Sequence, residues 1–438
     1  MQSSPTRSRG ISPWFIMALL APIYFLTIFY RMTPSTLAEA LVADLNISLG
    51  VLSMISSTTF ITYGLMQLPS GMLVDALGGR RSICVITLMA VAGTVLFAMS
   101  SSVYPAIAAR LLTGIGCAAV VPCLAILAQY CPANQFSRVN GVLLAIGLGG
   151  TVFAGTPLAL AAETIGWRAC LLICAAVDVA LIGAVWFLLQ EQPVGVNFSS
   201  NSSPRPSLRQ QCAEMMIALL HVLREPRFWP YCIWIGCNVG LYFALCGMWW
   251  GPWMREGLNL SLEESASVAS IAFLCMLPWN PLAGVFSDLF CTRKKVLIIA
   301  SILAFIFSLL PPLLGPEMSR TMLYVHAIGF AIFTCNVSSV VYAAVRELFP
   351  LRMVGTALGC VQTMPFLIFT PLIQNIFSIV LNWRTAATDS VVTGYAEAMW
   401  FSPIIIGVSL FATLYMYETY GNKAEAHKSP LQTRSETA

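Results

Sequence analysis

Arg31 closes an apolar run, Y-F-L-T-I-F-Y-R, and its guanidinium is a planar fork of donors suited to a carboxylate or phosphate. The alternative is an arginine that snorkels to an interface and only anchors its helix. Asp178 is the one acid near the middle of a long apolar stretch, so it is a candidate to carry a proton. Arg110 lies at similar depth and is a second coupling candidate, with a tethering role as its bland alternative. His326 titrates in a useful range, although a histidine satisfied by a backbone carbonyl is the simpler expectation. These groups suit reversible binding and proton movement. No nucleophile–base pair, nucleotide-binding loop or metal-ligand cluster accompanies them, so no catalytic residue, cofactor or metal is expected and the chain does not read as an enzyme.

The elements that hold these residues follow from composition. Of 438 residues, 58% are hydrophobic and 10% are charged, with a mean hydropathy of +0.79. A soluble domain carries about 25% charged residues, so this chain has too much apolar surface for water. Continuous runs of roughly 20 apolar residues indicate membrane-crossing helices rather than alternating barrel strands. Spans are expected near 13–33, 49–70, 83–102, 104–128, 139–162 and 168–190, then near 228–251, 266–287, 296–315, 320–345, 354–381 and 396–418. The fold class is therefore an all-α membrane protein of twelve transmembrane helices in two six-helix bundles. The expected divisions are a tail at 1–12, a bundle at 13–190, a polar linker at 191–227, a second bundle at 228–420 and a tail at 421–438. Within the linker, 208–223 has helical periodicity suited to a membrane surface.

Basic residues set the orientation. With the amino terminus cytoplasmic, Arg80, Arg81, Arg138, Arg293, Lys294, Lys295, Arg346 and Arg352 fall inside, and the outer loops keep only Arg168, Arg255, Arg320 and Arg384. Both termini are expected in the cytoplasm. Net charge is +4 with no cluster of basic and aromatic residues, so nucleic acid is not an expected partner. The 14 cysteines lie mostly within spans, without a C-x-x-C pair, and read as small core hydrophobes. No cleavable leader is expected, and compact loops suit a bacterial inner membrane.

A charged segment recurs once per half. Gly71 to Arg81 reads G-M-L-V-D-A-L-G-G-R-R, and Gly284 to Lys295 reads G-V-F-S-D-L-F-C-T-R-K-K. This pattern resembles the major facilitator superfamily, whose signature there is G-x-L-x-D-R-x-G-R-R/K. Gly71, Leu73, Asp75, Gly78 and Arg80 match, while Ala76 and Gly79 replace two usual basic residues. The second copy keeps Gly284 and Asp288, with Cys291 in place of a glycine. The resemblance implies a charge lock formed by Gly71, Asp75, Gly78, Arg80, Arg81, Gly284, Asp288 and Arg293, holding an outward-facing state. Arg110-x-x-x-Gly114-x-Gly116 resembles a further pattern of the superfamily on helix 4.

The segment F-Y-R-M-T-P-S-T-L-A-E-A-L is similar to helix 1 of the organophosphate:phosphate and anion:cation branches. There the matching arginine meets the anionic part of the substrate, which implies that role for Arg31. Helix 7 lacks the second arginine of the organophosphate branch, and no acid sits beside Arg31 or on helix 4, which favours a monoanion or zwitterion over a phosphate ester. Helix 5 lacks the G-P-x-x-G-G pattern of drug antiporters. Further cavity candidates are Tyr24, Tyr30, Asn238, Tyr242, Trp249, His326, Asn336, Gln67 and Gln362. The implied function is alternating-access transport of a small organic anion or zwitterion by a monomer, with protons or another ion as partner and uptake as the direction. A solute sensor and a drug or siderophore exporter are the alternatives.

Overall fold

The computed structural model describes residues 12–131, 133–189, 216–217, 219–276, 278–335, 337–349 and 351–420. The expected tails, Asn336 and most of the 191–227 linker lie outside these residues. Among those described there is no strand. Ten helices are long and apolar enough to cross a membrane, and an eleventh if a bent pair counts as one span. In chain order they are α1 (Pro13–Thr36), α2 (Leu49–Leu77), α3 (Gly79–Ala98), α4 (Val103–Leu127) and α5 (Ala133–Phe153 with Thr156–Ile165). Then come α6 (Trp167–Leu188), α7 (Pro226–Gly257), α9 (Lys294–Leu314), α10 (Arg320–Leu348), α11 (Thr356–Thr388) and α12 (Val391–Leu414). Between α7 and α9, α8 (Leu262–Met276 with Trp279–Leu289) fills the remaining position in two pieces.

The fold is an all-α membrane architecture of two related halves, and the packing shows the duplication directly. In the first half α1 packs on α5, α2 on α4, and α3 on α4 and α6; each pairing recurs six helices later. Between halves α1 meets α7, α2 meets α11 and α5 meets α8. Exchanging the halves turns the last two pairings into each other, as a pseudo-two-fold axis requires.

Several helices run past their expected ends. α2 continues to Leu77, so Gly71 to Leu77 forms its last turns rather than a loop. Gly78 then turns the chain with φ 84° and ψ 160°, a region essentially reserved for glycine, and α3 starts at once. α7 extends to Gly257 and α11 to Thr388. α5 bends by 46° at residues 154–155. α7 widens into a π-helical turn at Leu245–Trp249, and α11 does so at Pro365–Phe369. Such turns mark places where a straight helix would not aim its side chains suitably.

The described polar contacts between halves gather at one end of the molecule. The Ser53 and Ser57 hydroxyls of α2 bond to the backbone and side-chain oxygens of Gln374, and Asn375 donates to Ser57 at 3.1 Å. The backbone N–H of Gly251 donates to Ser35 Oγ at 3.0 Å, and Thr156 N–H to Ser270 Oγ at 3.3 Å. Arg255 pairs with Glu39 at the same end. Any side chain at Gly251 would place its Cβ 2.1 Å from the Ser35 carbonyl oxygen, so only glycine permits this approach.

Candidate functional site

Arg31 is 4% exposed and lies where the halves meet. Its Nε donates to Thr27 O one turn back at 3.3 Å. Its guanidinium sits 4.4 Å from the ring centroid of Tyr63 on α2, 5.5 Å from Phe243 on α7 and 5.6 Å from Phe366 on α11. It forms no ion pair among the described residues. A charge at membrane depth costs about 2.5–3.5 kcal/mol on insertion scales. Each ring contributes about 0.5–1 kcal/mol, or more when desolvated. Three rings therefore offset much of the cost of burying the cation, with no acid beside it among the described residues. The structure thus places Arg31 in the interior rather than at a surface.

The rings form one cluster: Tyr63 and Phe243 meet Phe366 edge-on at 4.9 and 5.0 Å, and Phe60 stacks on it at 6.2 Å. Tyr24 is half-buried against Gly147 of α5, within electrostatic reach of Tyr63 and Arg31. Tyr342 of α10 lies within reach of both Tyr24 and Tyr63. The sequence reading missed Tyr63, Phe243, Phe366 and Tyr342. An aromatic residue facing a cavity and one facing lipid have the same type, so the sequence offered little beyond Pro365 within the α11 span, next to Phe366.

Tyr30 faces away from this cage. Its hydroxyl donates to Asp178 Oδ2 on α6 at 2.7 Å, and its carbonyl accepts from Arg110 Nη1 at 3.0 Å. Arg110 Nη2 also reaches Thr33 Oγ1 at 3.2 Å, and the guanidinium lies 4.1 Å from the Phe97 ring centroid. Asp178 is 1% exposed, and its Oδ1 has no hydrogen-bond partner. One hydrogen bond to an ionised carboxylate contributes about 1.5–3 kcal/mol. That falls short of the several kcal/mol an unpaired buried charge costs.

Other expected contacts are spent on packing. Asn238 donates to Trp234 O at 2.9 Å and to Ser409 of α12, on the outer side of its bundle. His326 Nδ1 lies 2.8 Å from Phe307 O on α9, with Phe330 stacked on the ring. Tyr242 donates to Met276 Sδ at 3.0 Å. Gln67 is buried with an unpartnered Nε2, while Trp249 donates its indole N–H to Gln374 O at 3.1 Å. A separate groove of about 170 Å³, walled by Trp279, Phe286, Val296, Ile299 and Phe333, is apolar and offers no anion a partner.

The duplicated charged segments sit at the end opposite the inter-half contacts. Arg80 stacks 4.9 Å from the Trp186 ring and donates to the Trp186 and Leu189 carbonyls at 3.4 Å, tying α3 to α6. Arg81 is exposed, and the side chain of Asp75 lies outside the described set. In the second copy Arg293 bonds Asp288 at 2.7 Å and Glu347 of α10 at 3.0 Å. Glu418 accepts from the backbone N–H groups of Arg293 and Lys294 at 2.8 and 3.1 Å, capping α9. Glu347 and Glu418 were not anticipated; Glu347 follows Arg346 at the end of α10 and Glu418 lies just past the end of α12, and an acid at a helix end is a readable signal. Gly284 has open space where a Cβ would stand, so no helix contact there requires glycine. The described partners of Arg80 and Arg293 lie within their own halves.

The sequence model of the Major Facilitator Superfamily matches residues 20–252 and 240–434, nearly the whole chain. The chain belongs to the major facilitator superfamily. Among curated relatives of this major facilitator, a gallate transporter of Pseudomonas putida is 23% identical over 286 residues, covering 59% of this chain and 62% of its own. A probable chloroplastic anion transporter of Arabidopsis thaliana is 26% identical over 264 residues, 56% of this chain and 48% of its own. A probable sulfoacetate transporter of Cupriavidus necator is 21% identical over 285 residues, 62% and 64%. The matches thus span from about half to just under two thirds of those relatives' lengths. Among solved structures, an inward-facing bacterial homologue of the human lysosomal transporter Spinster gives a TM-score of 0.71 at 16% identity, over 98% of this chain and all of that one. The nucleoside transporter NupG gives 0.73 at 13% identity, over 92% and all. Both share the fold.

Proposed function

We propose that this major facilitator is a secondary transporter of a small organic anion, bound through Arg31 and moved by alternating access. The observation that carries the reading is the buried Arg31 guanidinium, ringed by aromatic side chains from α2, α7 and α11 and without a counter-ion among the described residues. One cation without an acid partner among the described residues suits one anionic group. The rings suit a cargo with a planar or apolar body, because a π face accepts any such surface. The relatives' cargoes support it: gallate, sulfoacetate and, in a Bacillus subtilis relative, nitrite are all anions. Tyr24, Tyr63 and Tyr342 supply hydroxyls for orientation.

The distribution of basic residues supports cytoplasmic termini in a bacterial cell, and with that orientation the clasped end faces out. Proton-coupled uptake by a monomer is the proposed mode. The charged clusters around Arg80 and Arg293 brace each half as it rocks.

A thermal-shift screen in detergent tests this, with gallate, sulfoacetate, amino acids and cationic drugs run beside Arg31→Ala. An anion should stabilise the parent and lose at least about tenfold in affinity for the variant, as expected when a charge-assisted hydrogen bond is removed. Stabilisation by cationic drugs, untouched by the substitution, would put export in its place. Binding without flux in liposomes would mark a sensor.

A further inference from the structure

We propose that Asp178 carries the coupled proton and that Tyr30 links it to the anion at Arg31. This rests on the anion-carrier reading above. Asp178 sits in mid-α6, buried, with Oδ2 held by the Tyr30 hydroxyl at 2.7 Å and Oδ1 unpartnered. No basic side chain pairs with it among the described residues. The titratable and charged groups on every neighbouring element are few. α1 presents Tyr30, and α4 presents Cys117 and Arg110, the latter turned to the Tyr30 carbonyl and Thr33. α6 itself adds Cys174 one turn away. On α3, Cys84 bonds Ile182 O and Arg80 stacks on Trp186, both further along α6 than Asp178. Glu163 on α5 is exposed at the far turn.

Tyr30 and Arg31 are consecutive on α1, about 100° apart around the helix. One therefore faces Asp178 while the other faces the cage. The Thr27 carbonyl on α1 accepts from both Arg31 Nε and Cys117 Sγ at 3.3 Å, and Tyr30 on the same helix holds Asp178, so one stretch of α1 carries both ends of the link. The sign of coupling follows from charge. An anion at Arg31 repels an ionised Asp178, so its arrival favours a proton on Oδ1, and by reciprocity the proton favours the anion. The two load and leave together, which is symport; exchange of an anion against a proton would require the opposite sign. The proton enters Oδ1 from the outer side and departs to the inner side once the anion has gone. Tyr30 keeps its own proton throughout.

Infrared titration of the full-length protein in lipid nanodiscs reads the carboxyl directly, and Asp178→Asn keeps an oxygen to accept from Tyr30. The parent should show a titrating protonated-carboxyl band that the variant lacks. Gallate should raise its midpoint by about one pH unit, a tenfold coupling, and Arg31→Ala should abolish that displacement but not the band. In proteoliposomes Asp178→Asn should lose acid-driven gallate accumulation by about tenfold or more while still exchanging gallate for gallate. Tyr30→Phe should keep the band and shrink the gallate displacement. A parent without the band, or an Asp178→Asn protein that accumulates gallate as the parent does, overturns the proposal. If no anion of the screen binds the parent, the anion reading falls and the link with it, whatever the band does; if sulfoacetate binds in place of gallate, the same displacement is read with sulfoacetate.

Discussion

At the residue scale the two interior arginines differ in what they leave undone. Arg110 is spent on structure: it holds the Tyr30 carbonyl and Thr33 and lies over Phe97. Among the described residues Arg31 makes one long bond to its own helix and otherwise faces rings. The rings offset part of the cost of burying the Arg31 charge, and in the proposed reading a ligand offsets the rest. Arg31→Met should therefore melt no lower than the parent without ligand. Arg110→Met should lose about 1–3 kcal/mol, because the groups it served are left unmet. Melting both variants with and without gallate checks this; a destabilised, still gallate-responsive Arg31→Met protein would make Arg31 a packing residue.

At the element scale, short ties fix where helices begin. The helix Ala38–Leu45 is fastened to the start of α6 by Asp44, which accepts from the Trp167 indole N–H at 2.7 Å and pairs with Arg168. The Trp167 hydrogen bond, then Arg168, holds the Asp44 carboxyl below the usual carboxylate range. A group depressed in the folded state stabilises above its unfolded pKa, and that contribution fades as pH falls through the folded value. Asp44→Asn should thus lower the melting temperature at neutral pH by a small amount, since the pair is half-exposed. The gap to the parent should close on acidification below the carboxylate range. A gap constant with pH would mean that Asp44 acts by shape rather than charge.

At the scale of the whole molecule, the clasped end is one state of a two-state device. Ser35 against Gly251, and Ser53 and Ser57 against Gln374, can close only because the backbones approach so nearly. Gly251→Val should block that approach and shift the population toward the state open at this end. Ser57→Cys should then react with a membrane-impermeant maleimide in the Gly251→Val background and stay protected otherwise. Equal protection in both would show that the clasp does not depend on this glycine.

Helical spans, the division into halves and the interior placement of Arg31, Arg110 and Asp178 were legible because lipid imposes them. A bilayer demands about twenty apolar residues per crossing and tolerates a charge only where protein shields it. The repeated charged segment was legible for the same reason, since glycine and arginine at a helix exit have few other uses. Partners were not legible. Nothing in residue type says that Asn238 turns to Ser409, that His326 turns to Phe307, or that Tyr63, Phe243 and Phe366 converge on Arg31. Those choices depend on helix rotation and on the π turns of α7 and α11, which packing across the pseudo-two-fold sets. Composition determined that this chain crosses a membrane with a few charges buried inside; only the tertiary structure decided which charge gained hydrogen-bond partners from a neighbouring helix and which came to lie against rings.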